Sequence, residues 1–222
     1  VRWEDERIDR LNYENADEET LSVVPRWVSE SKNHLLKENF CYVAISAEDP
    51  SAFKSVPAKK LATIAKARSK ALKKFSDEVM TNGLRWCVIS VPTTAWANVV
   101  FNGDPESLKK LGDAIDFCMR LNEPDPVKAW EDHVRRLDKR AKFLSDCDFS
   151  HLHFTSKNGT DLKVGLCDDH IWLSAKEKAK DGISFIANMP TEEVFTAPHN
   201  KRVDGIVKSA LPLSYNGQIV DD

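Results

Sequence analysis

The chain of 222 residues is 41% hydrophobic and 30% charged, with a formal net charge of -3. That length can bury a sizeable core, in one large or two small domains. The slight acidic excess gives no electrostatic reason for a nucleic-acid partner, and no apolar run reaches the roughly 18–20 residues of a membrane span.

Val1-Arg2-Trp3 reads as strand-like, with no signal-peptide pattern, so a cytoplasmic location without a membrane partner is expected. Residues 4–38 carry Glu and Asp early and Lys32 and Lys37 late, the charge order of helices, and Pro25 splits them into two. Phe40-Cys41-Tyr42-Val43-Ala44-Ile45 is a short continuous apolar run, the pattern of a buried strand. From Ala58 to about Asn82, Leu61, Ala65, Leu72, Phe75 and Val79 recur every three or four residues. They predict one long amphipathic helix stopped by Asn82-Gly83. Lys59, Lys60, Lys66, Lys70 and Lys73 lie mostly off that stripe and are expected on a solvated face. Trp86-Cys87-Val88-Ile89-Ser90-Val91 is a second buried-strand pattern, ending at Pro92. Strand, helix and strand in that order form a βαβ unit, so a parallel pair is expected.

Thr93 and Thr94 can cap a short helix. Asp104-Pro105 supplies an N-cap and a first-turn proline for a helix to about Leu121, and Asp125-Pro126 repeats the device. Behind it Val127, Trp130, Val134, Leu137, Ala141 and Leu144 trace one apolar stripe, a surface helix of about five turns. The texture changes at Cys147-Asp148. Residues 149–154, 162–166, 170–173 and 183–187 are short β-favouring runs, and Asn158-Gly159 suits a hairpin turn between the first two. Residues 174–182 are lysine-rich, end in Asp181-Gly182 and read as an exposed loop. The expected fold class is α/β. Residues 1–148 form an α/β part with a partly parallel sheet and long helices, and residues 149–222 a β-rich part. The first residue is not Met, and the Asn216-Gly217 turn leaves only Ile219-Val220 for a second arm. An internal piece of a longer polypeptide, incomplete at both ends, is therefore expected.

Chemistry-bearing residues are sparse. The cysteines Cys41, Cys87, Cys118, Cys147 and Cys167 show no CxxC spacing, and several have apolar neighbours. Buried, reduced thiols in a reducing cytoplasm are expected. His151 and His153 share one face of a strand, a spacing that can chelate a metal. A site needs further convergent ligands, so outward-facing rings are expected. No G-x-S-x-G, GxGxxG, P-loop or H-E-x-x-H occurs.

The most promising stretch is Asn188-Met189-Pro190-Thr191-Glu192-Glu193-Val194-Phe195-Thr196-Ala197-Pro198-His199. Pro190 and Pro198 bar a helix and bias the residues before them toward extended geometry. Adjacent side chains then point to opposite faces, so Glu192 and Glu193 cannot act as one side-by-side pair. One of them can enter a site as an oxygen ligand for a metal while the other faces solvent or a neighbour. Spacing alone equally permits two surface glutamates on an edge strand.

That stretch, followed by Val203-Asp204-Gly205 and by Pro212-Leu213-Ser214-Tyr215-Asn216-Gly217, resembles the metallo-aminopeptidase family of aminopeptidase T, AmpS and PepS. The likeness takes in Gly159-Thr160-Asp161-Leu162, His170-Ile171-Trp172, Asp125-Pro126 with Ala129-Trp130-Glu131, Ala67-Arg68-Ser69-Lys70-Ala71 and Pro92-Thr93, nearly the whole chain. It implies a cytoplasmic homodimer that releases N-terminal residues from peptide substrates. It also implies two divalent metal ions (Zn, Co, Mn or Mg) per site in the intact enzyme. In the family's pattern the second glutamate of the PTEEV string is a metal ligand, which falls on Glu193. Glu192 is not carried over. The family's remaining ligands, further glutamates, histidines and an aspartate, come from motifs that do not occur before Asp222. These residues alone are therefore expected to carry one ligand and to be inactive. His170 and His199 fall within the pattern, but for His170 a structural role is expected, and Trp172 reads as core or pocket wall. The competing reading is a non-catalytic α/β scaffold or dimerisation module.

Overall fold

The computed structural model describes residues 4–38 and 40–211 in full and the backbone of 213–215 and 218–220. Val1-Arg2-Trp3, Pro212 and the Asn216-Gly217 turn lie outside the described residues. The chain opens with α1 (Glu6–Asn15), α2 (Glu18–Leu21) and α3 (Arg26–Leu35). Three helices thus stand where the Pro25 break predicts two. The additional break comes from Asp17, which holds extended backbone and accepts from the Thr20 N–H at 2.8 Å, capping α2.

Strand β1 (Cys41–Ser46) pairs in parallel with β2 (Arg85–Ser90), Cys41 opposite Arg85 and Ser46 opposite Ser90, as the strand–helix–strand order predicts. Between them run α4 (Ala58–Ala71) and α5 (Lys73–Met80), divided at Leu72, where φ is -100° and ψ 7°. Phe75 of α5 meets Tyr42 edge-on, with ring centroids 5.5 Å apart. Val43 and Ile45, on the opposite face of β1, are exposed. A continuous apolar run predicts two covered faces; only one is covered by the described residues.

Three helices follow: α6 (Thr94–Val100), α7 (Ser107–Cys118) and α8 (Pro126–Cys147). Thr93 caps α6 by accepting from the Trp96 N–H, and Asp125 caps α8 by accepting from the Lys128 N–H at 2.9 Å, with Pro126 in the first turn. The buried stripe of α8 is Trp130, His133, Val134, Leu137 and Ala141. It begins one turn later than the sequence pattern, because Val127 is 71% exposed.

The strands after α8 are β3 (His151–Thr155), β4 (Asp161–Leu166), β5 (Lys176–Lys178), β6 (Ser184–Ile186), β7 (Pro198–Ile206), β8 (Leu213–Tyr215) and β9 (Gln218–Val220). They form an antiparallel sheet in the order β3-β4-β7 and two hairpins, β5–β6 and β8–β9. The expected loop over 174–182 therefore contains a strand, and Ser174, Ala175 and Ala179 are buried. Residues 170–173 make less than a strand: one antiparallel bridge, Leu173 to Phe195. The fold class is α/β, a parallel pair among helices followed by antiparallel strands.

One core cluster joins Trp130, Val134 and Leu137 of α8 to Ala175, with Ile186, Met189 and Val194 packed against it. The chain beyond β6 also adds to β2. Val88 N–H donates to the Ala187 carbonyl at 2.8 Å, and Met189 N–H donates to the Val88 carbonyl at 3.0 Å. The 188–199 stretch is thus suspended from β2 on one side and laid along α8.

Candidate functional site

The acidic dipeptide is built from that suspension. His133 faces it from α8 and is only 3% exposed, so both ring nitrogens need partners. Nε2 lies 2.7 Å from the Thr191 carbonyl oxygen, which can only accept, so Nε2–H is the donor. Nδ1 lies 3.1 Å from Arg120 Nη2 and 3.4 Å from Arg136 Nη2, which can only donate. Arg120 sits in the turn after α7, in left-handed backbone at φ +60°. Its guanidinium lies 5.1 Å from the Trp130 ring centroid, donates to the Cys118 carbonyl at 3.1 Å and reaches Glu192 Oε1 at 2.5 Å.

Glu192 and Glu193 differ in their partners. Glu192 turns toward α8, paired with Arg120 and with Oε2 3.5 Å from His133 Nε2. Val194, two residues on, turns the same way and packs on the α8 cluster. Glu193, between them, is exposed and has no hydrogen-bond or ion-pair partner among the described residues. On its far side the chain is fixed again: Leu173 and Phe195 exchange backbone hydrogen bonds of 2.8 and 3.0 Å, and Thr196 Oγ1 donates to the Ile171 carbonyl.

A cleft of about 590 Å³ is lined by Trp130, Val134, Phe185, Ile186 and Met189, with charges at its rim. It lies on the α8 side of the segment, the side taken by Glu192 and Val194. Glu193 is not among the residues that line it.

The other sequence candidates stay apart. His151 is exposed beside Ser150 Oγ, and His153 is exposed with Nε2 2.7 Å from Asp161 Oδ1. His170 Nδ1–H donates to the Cys167 carbonyl at 3.0 Å and its ring stands edge-on to Trp172. His199 Nδ1 accepts from the Lys201 N–H. The five cysteines are free, and none is buried: Cys41, Cys118 and Cys147 are exposed, Cys87 and Cys167 half-buried. The expectation of buried thiols fails at Cys41 because that position faces outward on β1. Burial pushes the Cys87 thiol above its ordinary range, the wrong direction for a nucleophile.

Arg120 and His133 are absent from the sequence candidates. For His133 a signal existed, since it stands three residues after Trp130 and four before Leu137, on the buried stripe. For Arg120 none did, because its role depends on a turn conformation. As to a metal, Glu193 suits one place in an oxygen-rich shell, a free carboxylate on fixed backbone. Among the described residues no three His, Cys, Asp or Glu side chains gather to complete one.

Residues 1–222 match the thermophilic metalloprotease family M29, and the chain belongs to that family. It is 38% identical over 224 residues to aminopeptidase PepS of Streptococcus thermophilus, covering 100% of this chain and 54% of that protein. It is 34% identical over 224 residues to aminopeptidase AmpS of Bacillus subtilis strain 168, with the same coverage. Its structure is similar to that of wild-type AmpT from Thermus thermophilus, with a TM-score of 0.89, 34% identity, and coverage of 100% of this chain and 54% of that one. The chain spans about half the length of the curated relatives it matches.

Proposed function

We propose that these residues are part of a metal-dependent aminopeptidase that releases N-terminal residues from peptides, and that Glu193 is one of its metal ligands. Membership of the M29 family and the relatives' names as aminopeptidases support the activity. The observation that carries the residue assignment is the state of Glu193: exposed, unpartnered, and held in backbone fixed on both sides. Two divalent ions, of Zn, Co, Mn or Mg, would polarise the scissile carbonyl and activate the attacking water. Glu193 would contribute a negatively charged oxygen donor from backbone that is already held at Thr191 and Phe195 before any ion arrives. Glu192 is already neutralised by Arg120, which leaves it less available as a second ligand.

The division into an α/β part over 1–148 and a β-rich part over 149–222, a cytoplasmic location and a homodimer belong to the same reading. Five free thiols agree with a reducing compartment, and no helix among the described residues is long and apolar enough to cross a membrane. The dimer rests on the family resemblance alone. The second reading, a non-catalytic scaffold or dimerisation module, is favoured by one observation, the lack of a three-ligand group among the described residues.

Glu193→Ala in the full-length gene product separates the two. The expected result is loss of dipeptide hydrolysis together with loss of bound metal, measured by elemental mass spectrometry after dialysis. Unchanged turnover and metal content would sink the assignment.

A further inference from the structure

We infer that Arg120, His133 and Glu192 are positioning residues for Glu193. This deepens the metallo-aminopeptidase reading and rests on it. Each polar bond from α8 and the preceding turn to this segment ends on one of the two residues immediately before Glu193. His133 Nε2–H holds the Thr191 carbonyl at 2.7 Å, and Arg120 holds the Glu192 carboxylate at 2.5 Å. The holders are themselves immobilised. Arg120, with a side chain only 16% exposed, also binds the Cys118 carbonyl and His133 Nδ1, and lies over the ring of Trp130. Trp130 in turn donates its Nε1–H to the Met119 carbonyl at 2.7 Å, which ties α8 to the turn that carries Arg120.

Glu193 follows Glu192 directly, so a backbone held at Thr191 and Glu192 limits where residue 193 can stand. The bridge at Phe195 and the burial of Val194 hold the other flank. Glu193 is thus the free position in a span tethered on both sides, so the point from which its side chain reaches out is fixed before an ion binds. Lysine could not replace Arg120, because a single ammonium cannot present the planar fork that serves Glu192, His133 and the Cys118 carbonyl together.

The test uses the full-length gene product with Co²⁺ as the probe, followed by calorimetric titration and by the visible absorption of the bound ion. Glu192→Gln keeps the shape of an exposed side chain and removes the ion pair; Arg120→Gln removes the fork. Both are expected to bind Co²⁺ roughly 10- to 100-fold more weakly, with an altered visible spectrum. The metal-free thermal midpoint of Glu192→Gln should stay near that of the unmodified protein. A purely structural role would move the midpoint and leave the spectrum of the bound ion alone. Glu193→Ala serves as the reference. If it abolishes Co²⁺ binding while both other variants bind within twofold of normal with the same spectrum, the positioning role is overturned and the metal-ligand reading stands. If Glu193→Ala itself binds Co²⁺ normally, the metal-ligand reading fails and the positioning role with it.

Discussion

At Gly205 an added Cβ would stand 2.1 Å from the Asp161 carbonyl oxygen and 2.9 Å from the Leu162 Cα, and the backbone φ is +123°. Side chains rarely adopt that conformation. Leu162 and Gly205 are direct partners in the β4–β7 ladder, so neither strand can give way without loss of pairing. Gly205→Ala should therefore lower stability by about 2 kcal/mol, measured as a drop in urea midpoint; an unchanged midpoint would show that β7 can shift freely. The reason for this glycine lies in strand register, which the string Val203-Asp204-Gly205 does not reveal. The acidic dipeptide is the contrary case. Two prolines and the two-residue period of extended backbone already separate Glu192 from Glu193. What they cannot supply is the partners, because Arg120 lies 72 positions before Glu192 and His133 58 before Thr191.

Three helices of the first part, α1, α2 and α8, start at aspartates that cap them, and this makes their first turns depend on acid. Asp5, at the start of α1, is held at about 2 by its side-chain hydrogen bond from Arg7 and by the Arg7 backbone N–H. Asp17, capping α2, is lowered by the Thr20 N–H, and Asp104, before α7, is lowered chiefly by Lys110. A carboxyl whose folded value is depressed stabilises the fold fully above its unfolded value, about pH 4, and that contribution is lost as pH falls through the folded value. Amide protection at Arg7 and Thr20, followed by hydrogen exchange, should thus decline from about pH 4 toward about pH 2 for Asp5. Asp17→Asn, which keeps a capping oxygen without the charge, should flatten the decline at Thr20. Equal protection at both ends of that range would remove the caps as its cause. The start of α8 is legible because Asp125-Pro126 and its helix are neighbours in sequence, whereas the cap at Asp17 is lost among many acidic residues. The break at Leu72 is not legible, because leucine favours helix and nothing in the local sequence marks a turn there. Strand β5 is hidden for a related reason: its inward side chain is Glu177, satisfied by Asn82 Nδ2 at 2.6 Å from 95 positions away.

Over the whole molecule, the parallel pair, α8 and the 188–199 segment act as one support for a single carboxylate. Alternating strand and helix patterns made the parallel pair legible, whereas the seam between β2 and residues 187–189 joins parts of the chain with no shared sequence signal. The support is more complete than the chemistry it serves. Divalent ions of the zinc or cobalt type are held by three or four protein ligands, and among the described residues no group of three His, Cys, Asp or Glu side chains includes Glu193. A polypeptide of these 222 residues, titrated with Co²⁺ and followed by calorimetry, should accordingly show no site tighter than about micromolar, since one exposed carboxylate competes poorly with water for the ion. The full-length gene product should bind it tightly, and the binding should disappear with Glu193→Ala. Saturation of the 222-residue chain at micromolar Co²⁺ would overturn the one-ligand account. It would mean that these residues carry a complete shell, and that the support seen around Glu193 closes on an ion without help from further residues.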